Sequence, residues 1–139
     1  MKNRRNFIKT SAVAVAAVAL TGKAIAGNDK NTIKIEDLPG LIYTEKNQGQ
    51  WQNKAGSHLP KVTVKGNKVS LVTPHGMSEQ HYIVRHTLVD QNGNVIGAKT
   101  FSPSDEPKSE FELPNDYKGT LYATSFCNKH DFWVKKFKV

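Results

Sequence analysis

The chain has 139 residues and a formal charge of +8, with 20 basic side chains against 12 acidic ones and a single cysteine. One cysteine excludes an internal disulfide framework, and no basic cluster is interleaved with aromatics as nucleic-acid binding requires, so no nucleic-acid partner is expected. Five basic residues (Lys2, Arg4, Arg5, Lys9 and Lys23) and no acids lie in the first 26 positions; +8 less these five leaves +3, a mild field that favours small anions over polyanions.

Met1 to Ala26 reads as an export signal. A basic start is followed by the apolar run Ala12–Leu20 and then by Ala24-Ile25-Ala26, an A-x-A cleavage pattern. The apolar run is shorter than the about 20 residues a membrane helix needs, so no stable membrane span is expected after cleavage. Arg4-Arg5-Asn6-Phe7-Ile8-Lys9 resembles the twin-arginine export motif, and the alanine-rich, weakly hydrophobic run suits that route. The expectation is a leader over residues 1–26, carried to the periplasm by the twin-arginine pathway, and one domain over residues 27–139. That length supports a single core.

Residues 27–31 are polar. Thr32 to Tyr43, interrupted by Pro39-Gly40, reads as an edge segment or irregular entry, and Glu45 to Ser57 as a polar loop around Trp51. Trp51 is expected to pack on the domain surface or on a neighbouring chain.

From Lys61 the period becomes two. Val62 and Val64 alternate with Lys61, Thr63 and Lys65, Gly66-Asn67 signals a hairpin, and Val69–Val72 returns. His81–Asp90 is predicted as a strand closed by the turn Gln91–Asn94, and Val95–Phe101 pairs back. A Pro-, Ser- and acid-rich loop, Ser102–Ser109, leads to the short Phe111–Leu113. After the turn Asn115–Gly119 comes a strand over Leu121–Phe126, and Trp133–Val139 ends the chain with Trp133, Phe137 and Val139 set apart by interposed lysines. Several short strands divided by turns, with no helical stripe, predict an all-β fold: an antiparallel β-sandwich of immunoglobulin-like type with about seven strands.

Chemistry is concentrated in Ser125-Phe126-Cys127-Asn128-Lys129-His130-Asp131-Phe132-Trp133. A thiolate and an imidazole three residues apart on a tight turn can bind one metal ion, although a lone C-x-x-H is equally compatible with a buried free cysteine beside a surface histidine. His58, His75 and His81 lie near ends of predicted strands, and a sandwich gathers its loops at two ends, so these groups can converge. His86 is five residues beyond His81, on the opposite face of an extended strand, and is left out of the set.

His75-Gly76-Met77-Ser78-Glu79-Gln80-His81-Tyr82-Ile83, with Cys127-Asn128-Lys129-His130 and Trp133, resembles the iron-binding domain of the superoxide reductases, the neelaredoxin and desulfoferrodoxin family. His58-Leu59-Pro60, Phe101-Ser102-Pro103 and Phe111-Glu112-Leu113-Pro114 fit as well. No four-cysteine rubredoxin-like domain is present, which makes the chain similar to the one-iron class.

The resemblance implies one non-haem iron per chain, with His58, His75, His81 and His130 in an equatorial plane, Cys127 as the axial thiolate and an open sixth position. Five N and S donors exceed a closed tetrahedral zinc site, and a thiolate pushes electron density to the metal. The implied activity is reduction of superoxide to hydrogen peroxide with an electron from an external donor, either rubredoxin-like or a periplasmic cytochrome, and relatives suggest a homotetramer. Two alternatives are an exported iron protein for electron transfer or redox sensing, and a β-sandwich binding module with a structural metal in a sulfur-oxidation type complex.

Departures from the family pattern fall before the first histidine. Gly56 and Ser57 stand where many members have glutamate and lysine, and Gly76 replaces a proline. Lys54, Lys61 or Lys129 is then the expected source of anion steering.

Overall fold

The computed structural model describes Leu38 and residues 40–139; the leader and most of the Thr32–Tyr43 segment lie outside the described residues. Those described belong to one compact unit, Ile33–Val139. Its elements are β1 (Ile42–Tyr43), α1 (Ala55–His58), β2 (Lys61–Lys65), β3 (Lys68–Val72), β4 (Ile83–Asp90), β5 (Val95–Thr100), β6 (Lys108–Glu112), β7 (Thr120–Cys127) and β8 (Asp131–Lys138). They form a five-stranded sheet in the order β1-β8-β7-β4-β5 and a three-stranded sheet in the order β2-β3-β6. The all-β sandwich expected from the period-two pattern is therefore present.

The alternation is clearest in β7. Leu121, Ala123, Ser125 and Cys127 point inward, and Thr120, Tyr122, Thr124 and Phe126 outward. β2 and β3 pair from Lys61↔Val72 to Lys65↔Lys68, and Gly66 makes their turn at φ +59, a region open to glycine at little cost. Val69, Leu71, Leu88, Leu113, Leu121 and Ala123 form the main core between the sheets. Two smaller clusters sit apart from it: Tyr43, Leu59 and Trp133, and Ile83, Phe101 and Cys127.

Four local expectations change. The chain entry supplies an eighth strand, β1, which runs parallel to β8 through Ile42↔Phe132 and Tyr43↔Trp133 and buries Tyr43 against Trp133. The last three residues of the polar loop, with His58, wind into α1, whose following residue Leu59 donates its N–H to the Ala55 carbonyl. The Ser102–Ser109 loop is shorter than its composition suggests, because Lys108 and Ser109 already pair with Val72 and Leu71. His81 precedes β4 instead of opening it. Its segment is held by a bridge to Ser78 and by Asn128, whose side chain accepts from the Tyr82 N–H, and the β4–β7 register then shifts between Ile83 and Arg85.

Candidate metal centre

Three chain segments meet at one end of the sandwich. The turn from β7 to β8 carries Cys127 and His130, and it closes with Asp131 at φ +62, a left-handed conformation aspartate tolerates. α1 ends in His58, and the loop between β3 and β4 holds His75 and His81. One donor atom from each of His58, His75, His81, Cys127 and His130 lies within 4.8 Å of the others.

The spacing has a definite order. His58 Nε2 is 2.9 Å from His130 Nδ1, His130 Nδ1 is 3.0 Å from His81 Nε2, and His81 Nε2 is 3.1 Å from His75 Nε2. Two nitrogens bound at about 2.1 Å and at right angles are about 3.0 Å apart, against about 3.4 Å at a tetrahedral angle. The nitrogens thus follow one another at the spacing of adjacent corners of a square, in the order His58, His130, His81, His75. Cys127 Sγ lies 3.7 Å from His130 Nδ1 and 4.0 Å from His75 Nε2. These are opposite corners. In the plane of such a square a sulfur at both distances would overlap a third nitrogen, so it lies out of that plane.

The surroundings set the imidazoles' protonation. The Lys54 carbonyl, 3.0 Å from His58 Nδ1, can only accept; it fixes the proton there and leaves the Nε2 lone pair facing the square. Burial pushes His58 down to about 4, helped by its histidine neighbours, although the Lys54 contact acts in the opposite sense. His75 is lowered by burial and then by His81. His81 and His130 are lowered by burial first; Lys54 and Lys129 add to both, and His81 also bears on His130. Neutral imidazoles are the form that binds a metal. His75 Nδ1 is buried without a hydrogen bond of good geometry. Lone pairs crowded at 3 Å around a buried thiol fit a bound cation and have no other partner among the described residues.

A hollow of about 400 Å³ opens beside the square, lined by Lys54, Ser57, His58, His75, Gly76, Met77, Ser78 and His81. Cys127, 1 % exposed, is not among its walls. Lys54 therefore borders the open side, and Lys129 is in the turn itself. Lys61 lines a separate hollow with Glu45, Gly56 and Lys135.

Some contributors carry no local signal in the sequence. Trp51 is half-buried, donates from Nε1 to Asp131 at 2.9 Å and sets its ring edge-on to His130 at 4.6 Å. Asn128 binds the Tyr82 N–H and the Gln80 carbonyl, tying the cysteine turn to the His81 loop. Their partners are 46 to 80 residues away. His86 is fully buried between the sheets, apart from the donor group.

Comparison with known proteins adds an independent line. Residues 3–21 match the twin-arginine translocation signal sequence. A desulfoferrodoxin homolog of Archaeoglobus fulgidus is 35% identical over 79 residues, 55% of this chain, and the match spans only 59% of that relative's length. A superoxide reductase of Pyrococcus abyssi is 31% identical over 113 residues, covering 75% of this chain and 92% of that one. The solved superoxide reductase (neelaredoxin) of Ignicoccus hospitalis has 30% identity and a TM-score of 0.60, over 70% of this chain and 93% of its own. Residues 48–136 match the family model described as desulfoferrodoxin, and with these relatives that match shows that the chain belongs to the desulfoferrodoxin family.

Proposed function

We propose that the chain is an exported one-iron superoxide reductase, converting superoxide, one electron and two protons into hydrogen peroxide. The observation that carries this reading is the convergence of four ring nitrogens, neighbours about 3 Å apart, with Cys127 Sγ beside them and a solvent-facing hollow next to the group. Its ligands would be His58 Nε2, His75 Nε2, His81 Nε2, His130 Nδ1 and Cys127 Sγ. Iron held there would supply the one-electron couple.

The remaining roles belong to this chain's own groups. The Lys54 carbonyl and the Asn128 bridges hold the donors in place before binding, which is how surrounding hydrogen bonds raise metal affinity. Burial of Cys127 shields its sulfur from solvent and oxidants, and as a ligand it would donate electron density to the iron. Lys54, on the rim of the hollow, draws the anion in, with Lys129 as a second contributor. The leader is removed near Ala26 and the domain works in the periplasm. There an external carrier, rubredoxin-like or a cytochrome, reduces it, and by family resemblance it assembles as a homotetramer.

The test is pulse radiolysis of the iron-loaded, reduced mature protein. Rapid second-order decay of superoxide, with one iron per chain and a visible thiolate-to-iron band in the oxidised form, is expected. Superoxide decay no faster than in buffer would leave an exported electron-transfer protein as the reading.

A further inference from the structure

Met77 is the one methionine of residues 27–139, and the proposed chemistry leaves its thioether unused. It lies between His75 and His81 in the loop from β3 to β4 and is half-buried. Its side chain packs on Ile83, Phe101 and Cys127, and the Ile83 N–H donates to its Sδ at 3.3 Å. Ile83 pairs with Cys127 across β4 and β7, so the thioether is pinned against the strand pair that carries the thiol. Met77 also lines the hollow beside the donor group. With His75 it borders a second hollow of about 540 Å³, whose walls include Pro74, Asp105 and Pro107. Cys127, 1 % exposed, borders neither. Of the two sulfurs in residues 27–139, only the thioether is open to a small molecule in either hollow.

Reactivity follows from that difference. Oxidation of a cysteine tracks exposure and thiolate character, so burial protects Cys127, whereas a thioether reacts without losing a proton. The Ile83 N–H engages one sulfur lone pair of Met77, and the second can attack an electrophile. We propose that Met77 is a peroxide-modification site: hydrogen peroxide in the hollow converts it to the sulfoxide before Cys127 is reached, and the sulfoxide turns the centre down. The proposal rests on the reductase reading for the source of the peroxide. Sδ attacks one peroxide oxygen, an S–O bond forms, the O–O bond breaks, and the other oxygen leaves as water with both protons. Sulfur is oxidised by two electrons and the peroxide is reduced by two. The new oxygen is polar, and burying it among Ile83, Phe101 and Cys127 is costly. Met77 therefore turns outward and draws on the loop that carries His75 and His81. Enzymatic reduction of the sulfoxide restores the thioether.

The experiment treats the iron-loaded protein, in its oxidised form, with hydrogen peroxide. Wild type is compared with Met77→Leu, a swap that keeps volume and apolar character. Peptide mass spectrometry is expected to find one added oxygen on Met77 in wild type while Cys127 and Trp51 are unchanged. The sulfoxide form should release iron to a chelator several-fold faster than untreated wild type and react with superoxide several-fold more slowly. Methionine sulfoxide reductase should reverse both changes, a test that needs wild type alone should Met77→Leu fail to take up iron. Met77→Leu, treated alike, should keep its untreated iron release and superoxide rate. Cys127 oxidised at or before Met77 would overturn the proposal. So would a sulfoxide form that matches untreated wild type in both measurements, or a Met77→Leu protein that declines as wild type does. A wild type inert to superoxide, yet oxidised first at Met77 with faster iron release, would instead remove the reductase reading and leave the modification site standing.

Discussion

Ser57 and Lys54 sit one turn apart on the approach to the square, and at this scale the electrostatics are testable residue by residue. Ser57 Oγ is 2.8 Å from His58 Nδ1, and Lys54 borders the hollow. Lys54→Ala is predicted to lower the second-order rate with superoxide several-fold at low salt, and Ser57→Lys to raise it with a steeper salt dependence. A fixed cation attracts the anion within a Debye length of about 8–10 Å. Lys61→Ala should change neither, because Lys61 faces another hollow. Pulse radiolysis across ionic strengths checks all three, and a rate lost only in Lys61→Ala would reverse the assignment. Cys127→Ser is predicted to abolish the visible thiolate band. An unchanged spectrum at full iron content would take Cys127 out of the coordination sphere. The residue types and the Cys-x-x-His spacing were legible in the sequence, whereas which lysine borders the hollow was not, since it depends on which way α1 turns its N-terminus.

Between elements, His86 pins one sheet to the other. Its Nε2 is 2.8 Å from Thr73 Oγ1 and its Nδ1 2.9 Å from Ser109 Oγ, and Thr73 also donates to Ser125 Oγ at 3.0 Å. Thr73 and Ser109 come from the three-stranded side, His86 and Ser125 from β4 and β7. Burial first, and Lys99 second, push the His86 imidazole down to about 4. Unfolded, the same group titrates near 6.5, so between these values the unfolded chain binds more protons and stability rises with pH. The contribution is fully present above about 6.5 and is lost as pH falls toward 4, amounting to about 3 kcal/mol. Urea unfolding of the metal-free protein at pH 7 and pH 4.5 should show this loss, reduced in His86→Gln; an equal loss in both would acquit His86. The sequence excluded His86 from the donor set by strand parity. That it crosses between sheets follows from β4 and β6 facing each other, which no local pattern encodes.

For the whole molecule, the leader and the centre are linked by the order of events. A candidate metal site assembled from segments up to 72 residues apart forms only on folding, and twin-arginine systems carry folded proteins, so under the proposed function iron would be inserted before the oxidising compartment is reached. Replacing Arg4 and Arg5 by lysine is predicted to strand the precursor in the cytoplasm. Cell fractionation and immunoblotting would read this, and undiminished periplasmic protein would point to the general secretory route.

What the sequence determined by itself is whatever repeats locally. Alternation of Val62, Val64, Val69 and Leu71 dictated strands, Gly66-Asn67 the hairpin, and Arg4-Arg5 with the alanine-rich run the export signal. The candidate donors announced themselves by type. Only the tertiary structure decided their order around the square and the parallel β1 that buries Tyr43 on Trp133. Each of these depends on which strands become neighbours, in the order β1-β8-β7-β4-β5. That order is set by burying the two sheets' apolar faces against each other, a long-range choice that side-chain spacing constrains but does not specify.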